Sequence, residues 1–117
     1  MPYVHRTELW EATLPDAWCA GGGGPLVTIW NPEGVGTITV LNTDQNKAPP
    51  RSGKGKEFNG KLIGRTFEHT AGDVFARHWN LLCGDRWIYV RYSCAAKNAA
   101  LEREEVDEIL RSLSEVV

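Results

Sequence analysis

The sequence predicts an α+β fold: an antiparallel sheet of about six strands with a C-terminal helix packed on one face. Three observations carry this reading. Val74–Cys83 and residues 86–94 are β-rich runs separated only by Gly84-Asp85. A two-residue loop opened by glycine signals a tight hairpin, because glycine supplies the positive φ that such turns need. Leu26–Trp30 and residues 35–41 alternate apolar with polar residues, the period of a strand with one buried face. Val106, Ile109, Leu110, Leu113 and Val117 recur at helical spacing, which places one apolar stripe along a helix. At 117 residues, the chain reads as a single domain, residues 1–117, large enough to enclose one core.

Taken in order, residues 3–14 read as a first strand with Leu9, Trp10, Ala12 and Leu14 as its apolar residues, ended by Pro15-Asp16. Gly21-Gly22-Gly23-Gly24 has no side chains to pack and a large conformational entropy, so a mobile loop is expected there. Leu26–Trp30 is the second strand, closed by the turn signal Asn31-Pro32-Glu33-Gly34, and residues 35–41 are the third. Residues 42–57 are polar and rich in proline, glycine and lysine, the composition of a long flexible loop. Residues 61–68 are a fourth strand, residues 69–73 a turn, and the hairpin follows. Asn98 is placed to cap a helix running to about Val117, with acidic residues in its first turns and Arg111 near its end, as the helix dipole favours.

The hairpin turn fixes a register in which Cys83 faces Arg86, Leu81 faces Ile88, Trp79 faces Val90 and Phe75 faces Cys94. Side chains alternate along a strand, so Phe75, Trp79, Leu81, Ile88, Val90 and Tyr92 share one face. That face is a core. His78, Asn80, Leu82, Trp87, Tyr89 and Arg91 share the other, whose mixture of aromatic and polar groups suits a partner surface. Trp30 joins it by alternation with Thr28. Trp10, Trp18 and Trp79 fall among inward-pointing apolar neighbours and belong to the core. Tryptophan, tyrosine and arginine bury much area at modest entropy cost, which is why they dominate interaction hot spots. His78, Asn80, Trp87, Tyr89, Arg91 and Trp30 are therefore the candidate partner-binding residues; the alternative is that the chain itself covers this face, with the long loop or the first strand, since only one helix is available to cover the sheet.

The net charge of -2 and the pI near 5.9 argue against a general affinity for nucleic acid or anionic membranes. No apolar run has the length of a bilayer span, and the first residues lack the basic head and apolar run of a secretory signal. A cytoplasmic location is expected. The three cysteines, Cys19, Cys83 and Cys94, are then expected to be reduced thiols, with Cys83 and Cys94 at opposite ends of the hairpin. Ser52-Gly53-Lys54-Gly55 is no phosphate loop: Ala48 stands where the first glycine would be, and Gly55 where magnesium needs a hydroxyl. No close spacing of histidine, cysteine or aspartate suggests a metal site, and no cofactor is implied. Cys19 beside the Gly21–Gly24 run is the one candidate nucleophile, since backbone amides can stabilise an anion. His5, His69 and His78 are scattered along the chain with no pattern that would bring a base to it. The alternative to a binding module is thus a small-ligand protein or an enzyme using Cys19 and the glycine run.

The segment Leu14-Pro15-Asp16-Ala17-Trp18, followed by short strands, a long hairpin and the closing Glu105-Val106-Asp107-Glu108-Ile109-Leu110-Arg111-Ser112-Leu113, resembles the PsbP-like α/β/α sandwich superfamily. DcrB-like bacterial proteins and effector-associated chaperones of type VI secretion are among its relatives. Those relatives usually carry a helix between the third and fourth strands, where this chain has its Pro/Gly/Lys segment. The family shares no catalytic residues. What the resemblance implies is a non-catalytic, cytosolic bacterial protein-binding module, an immunity protein or adaptor for a secreted toxin or effector, whose partner is another protein or a second copy.

Overall fold

A computed structural model describes residues 2–42 and 55–116; most of the loop expected over residues 42–57 lies outside these. The strands are β1 (Tyr3–Arg6), β2 (Trp10–Leu14), β3 (Cys19–Gly23), β4 (Leu26–Trp30), β5 (Gly36–Asn42), β6 (Lys56–Asn59), β7 (Ile63–Ala71), β8 (Val74–Cys83), β9 (Arg86–Ala95) and β10 (Ser114–Glu115), with one helix, α1 (Arg103–Ser112). They form two antiparallel sheets. A seven-stranded sheet has the order β3-β4-β5-β9-β8-β7-β6, and a three-stranded sheet the order β1-β2-β10. The α+β class and the C-terminal helix are as expected. The single sheet of about six strands is corrected to a larger sheet roofed by a smaller one.

The register of β8 and β9 is the one the Gly84-Asp85 turn dictates, with Leu81 opposite Ile88 and Trp79 opposite Val90. Gly84 sits at φ 65°. The same device recurs one hairpin earlier: Gly72-Asp73 joins β7 to β8, with Ala71 opposite Val74 and Gly72 at φ 60°. The fourth strand therefore runs on to Ala71 instead of turning at residue 69. Lys56–Asn59, expected within the loop, pairs with β7 as the edge strand β6.

Residues 3–14 are two strands and not one. Thr7 folds the chain back: its hydroxyl accepts from the Leu9 and Trp10 amides at 3.2 and 3.1 Å, a local side-chain bond that competes with continued extension. Gly21, Gly22 and Gly23 are likewise strand and not loop, and only Gly24 belongs to the turn that follows. Gly23 pairs with Leu26 and Gly21 with Thr28 in the β3–β4 ladder. The neighbouring strand explains the composition: a Cβ on Gly21 would lie 3.3 Å from the Trp30 ring, and one on Gly22 would lie 2.6 Å from the Leu26 carbonyl oxygen. Gly21 lets the strand pass under the Trp30 ring, and the ladder hydrogen bonds of β3 offset the conformational entropy of its glycines.

The helix starts five residues later than Asn98, which instead ends a 3-10 turn at Ala96–Asn98. Glu102 sets the boundary. Its carboxylate, 5% exposed, accepts from the Gly36 amide at 2.9 Å and the Tyr92 hydroxyl at 2.8 Å, which ties the start of the helix to β5 and β9. At its other end Leu113 is extended, and the chain enters β10. Val106, Ile109, Leu110 and Leu113 are buried against Trp10, Trp18, Trp79, Ile88 and Val90 in one core between the sheets and the helix. The helix therefore lies on the face carrying Trp79, as the apolar stripes required. Arg77 reaches across this interface to Asp107 of α1 at 2.8 Å, with its guanidinium 4.7 Å from the centre of the Trp79 ring. All three cysteines are free.

Candidate functional site

Residues directly opposite one another in a ladder share a face, so the registers define the second face of the seven-stranded sheet. From β4 to β7 it carries Trp30 beside Thr37, Leu41 beside Tyr89, Thr39 beside Arg91, Leu82 beside Trp87, His78 beside Arg91, and Phe67 beside His78. Trp30, His78, Trp87 and Tyr89 are half-buried and Arg91 is exposed. Leu41 and Leu26 at 42% and 47% and Ile63 at 74% are among the most exposed large apolar residues described. Neither the helix nor the three-stranded sheet lies on this side, since both pack on the opposite face around Trp79. Five of the six candidate residues thus stand where the alternation placed them, in a row of aromatic, apolar and cationic groups running across adjacent strands.

Asn80 is the exception. It shares the face by register, opposite Arg65 and Tyr89, yet it is 2% exposed and its side-chain oxygen has no hydrogen-bond partner among the described residues. A central strand flanked by long side chains on both sides encloses a short one. Asn80 is therefore a support beneath the surface and not a contact on it.

The face is also more basic than the chain as a whole. Arg65 and Arg91 stand on it against Glu57, which pairs with Arg65, while the molecule carries a net charge of -2. His69 and His78, nine positions apart on the two strands of one hairpin and matching no metal-site spacing, come together here, with their Nε2 atoms 3.1 Å apart. Phe67 stacks on His78 with ring centres 4.8 Å apart. The Gly72-Asp73 turn was the signal that could have found this pair: it puts His69 opposite Ala76, one step diagonal from His78 on the same face.

Cys19 and the glycine turn stand at opposite ends of β3, Cys19 beside Trp30 and Gly23 beside Leu26. A cleft of about 720 Å³ opens at the glycine end, lined by His5, Arg6, Glu8, Gly22–Gly24, Asn42 and Arg86, and Cys19 is not part of it. Trp10 donates to Asn42 at 3.1 Å at the cleft's edge. Cys83 is buried, donating to the Leu9 carbonyl at 3.4 Å; burial, and then the nearby Glu115 carboxylate, push its thiol up to about 11. The Tyr92 hydroxyl is also pushed well up, by burial first and then by its contacts with Cys94 and Glu102. These two groups stay protonated at neutral pH, and their roles are structural. Among the described residues there is no cluster of three or more histidine, cysteine or acidic side chains able to hold a metal ion, and no helix is long and apolar enough to cross a membrane.

No family model matches the chain, and no curated protein matches it. Among solved structures, a protein from Bacteroides thetaiotaomicron VPI-5482 is similar over 92% of this chain at 11% identity, with a TM-score of 0.67. The match spans 45% of that protein's length. At this identity the likeness speaks for the fold alone: the sheet and its helix form an arrangement that other sequences also adopt.

Proposed function

We propose that this chain is a non-catalytic protein-binding module whose docking surface is the second face of the seven-stranded sheet. The observation that supports it is the row of Trp30, Tyr89, Trp87, Arg91 and His78 on a face that the helix and the small sheet leave to other occupants. Large amphipathic side chains held on a rigid ladder lose little entropy on binding, and arginine adds directional hydrogen bonds to carboxylates. Arg65 and Arg91, set among the described residues of this face against one carboxylate, Glu57, select a partner that presents acidic groups among apolar ones. The resemblance of residues 14–18 and 105–113 to PsbP-like proteins extends the reading: the partner is a secreted toxin or effector, and the chain is its immunity protein or adaptor in a bacterial cytosol. The two segments that carry the resemblance meet in space, Trp18 donating to Glu105 at 2.7 Å.

Trp87→Ala and Trp79→Ala together test the docking surface. Trp79 is wholly enclosed, so its truncation should cost roughly 3–5 kcal/mol of folding stability. Trp87→Ala should cost less than about 2 kcal/mol of stability and weaken association by ~2 kcal/mol or more, as a hot spot does. Urea denaturation gives the first quantity, and calorimetry with the partner captured by the wild-type chain gives the second. Equal partner affinity in wild type and Trp87→Ala would overturn the assignment, as would a Trp87→Ala protein as unstable as Trp79→Ala.

A further inference from the structure

The pairing of His69 with His78 has a geometry that exceeds what two surface histidines need. Their Nε2 atoms are 3.1 Å apart, while the ring centres are 5.1 Å apart and the ring planes only 10° from parallel. The centres are farther apart than the nitrogens by about the span from the two nitrogens to their own ring centres, so the rings meet edge to edge, nitrogen to nitrogen. One imidazole donates its proton and the other accepts with its lone pair. Each ring is therefore held with its Nε2 facing that of the other across one short gap, and a modest turn of the rings brings both lone pairs to a point beside that gap. The backbone enforces this: β7 and β8 are locked in register by the Gly72-Asp73 turn, and Phe67 stacks on His78.

We propose that His69 and His78 form a two-nitrogen chelate for a borderline-soft divalent metal ion, of the class Zn(II), Ni(II) or Cu(II). Imidazole nitrogens bind such ions at about 2.0–2.1 Å. Two nitrogens at that distance, subtending about 90° to 109° at a square-planar or tetrahedral metal, lie about 2.9–3.4 Å apart. The observed 3.1 Å separation falls inside this window, so the metal replaces the shared proton with the strands in place. His69 is exposed, and its ring can swing the remaining angle to aim its lone pair at the ion. Two protein ligands leave the other coordination positions to water or to a donor from a bound molecule. Arg91, opposite His78 on β9, opposes the added charge and limits the affinity. The chelate does not require the docking role proposed above, because the chain alone holds both ligands.

Titration of the purified full chain with NiCl₂ and ZnCl₂ by calorimetry tests this. One saturable site is expected, weakened at least about tenfold in His69→Gln and in His78→Gln, because each loses the chelate. His5→Gln should leave it unchanged, and Arg91→Gln should strengthen it. Thermal melts of each variant confirm that the fold is retained, and an exposed His69 makes His69→Gln safe in this respect. The proposal is overturned if the wild type shows no saturable binding up to about 1 mM metal. It also fails if His69→Gln binds as the wild type does, if His5→Gln removes the site, or if thiolate-to-nickel absorption shows that a cysteine is the ligand.

Discussion

Arg77 and Asp107 make an ion pair whose two ends should respond unequally to mutation, and the inequality follows from burial. The Arg77 side chain is 11% exposed, that of Asp107 32% and that of Glu68 47%. Asp107→Asn leaves a nearly enclosed guanidinium with Glu68 at 3.5 Å as its remaining ion pair and the Trp79 ring at 4.7 Å. Stranding one partner of a fully buried pair costs about 3–5 kcal/mol. Asp107 is already about a third in water, and Arg77 Nη1 makes no hydrogen bond among the described residues despite its 2.8 Å approach, so the expected loss is about 2–3 kcal/mol. Arg77→Met removes the buried charge instead, keeps an apolar stem over Trp79, and releases two carboxylates that water can reach. Its cost should stay within about 1 kcal/mol. Urea denaturation followed by tryptophan fluorescence measures both, with an unchanged slope as the check that the unfolded state is the same. The double variant should fall close to Arg77→Met alone, because no charge is then stranded. If Arg77→Met costs as much as Asp107→Asn, burial of the guanidinium is not what governs the pair and the reasoning fails.

Two further outcomes follow from the core face. Gly64→Ala would drive a Cβ onto the Asn80 carbonyl oxygen and to 2.9 Å from the Leu81 Cα. Backbone atoms cannot rotate away, so a loss of about 3 kcal/mol or more, or an insoluble product, is expected in the same denaturation assay. Cys83, pushed to about 11 by burial and Glu115, holds its proton in the fold after the unfolded thiol has released its own near pH 9. Its contribution is complete below about pH 9 and is lost as pH rises toward 11, by up to about 3 kcal/mol. Thermal melts between pH 8 and 11 should show this slope in the wild type and a shallower one in Cys83→Ala; parallel curves would refute it.

The β8–β9 hairpin could be read from the sequence residue by residue, because one glycine-led turn fixes the pairing and alternation then fixes both faces. The β7–β8 hairpin carries the same Gly-Asp signal, but the polar run over residues 69–73 reads as a longer turn, and that reading hides the meeting of His69 with His78. Other features depend on contacts that composition does not encode. Gly21 lies in a strand beneath the Trp30 ring of the neighbouring strand, and Gly22 lies against the Leu26 carbonyl, contacts that no composition reveals. The helix starts late because Glu102 is held by Gly36 and Tyr92, residues distant along the chain from any capping motif. Asn80 alternates correctly onto the candidate face but is covered by the longer side chains around it. Arg77 alternates onto the core face, where a charge becomes tolerable only once Asp107 and Glu68 arrive from other elements.

The small sheet gives β2 two very different neighbours. Arg6 reaches Glu11 across a short turn, whereas Ser114 pairs with the same Glu11 from 103 positions away. Closing the longer loop costs about 3 kcal/mol more in chain entropy, and the two residue pairs of β10, the Val116 amide on the Leu9 carbonyl at 3.0 Å and the Ser112 hydroxyl on the Thr13 backbone reward it directly. Local hairpins of the large sheet face no such cost, since their strands are joined by two-residue turns. Assembly therefore has a built-in order: hairpins first, then the helix drawn down by its apolar stripe, and the β2–β10 seam last. That seam lies over the core that contains Trp10 and Trp79, so the step that seals the interior from water is also the one most weakly supported by its own contacts, and thermal opening of the molecule begins there.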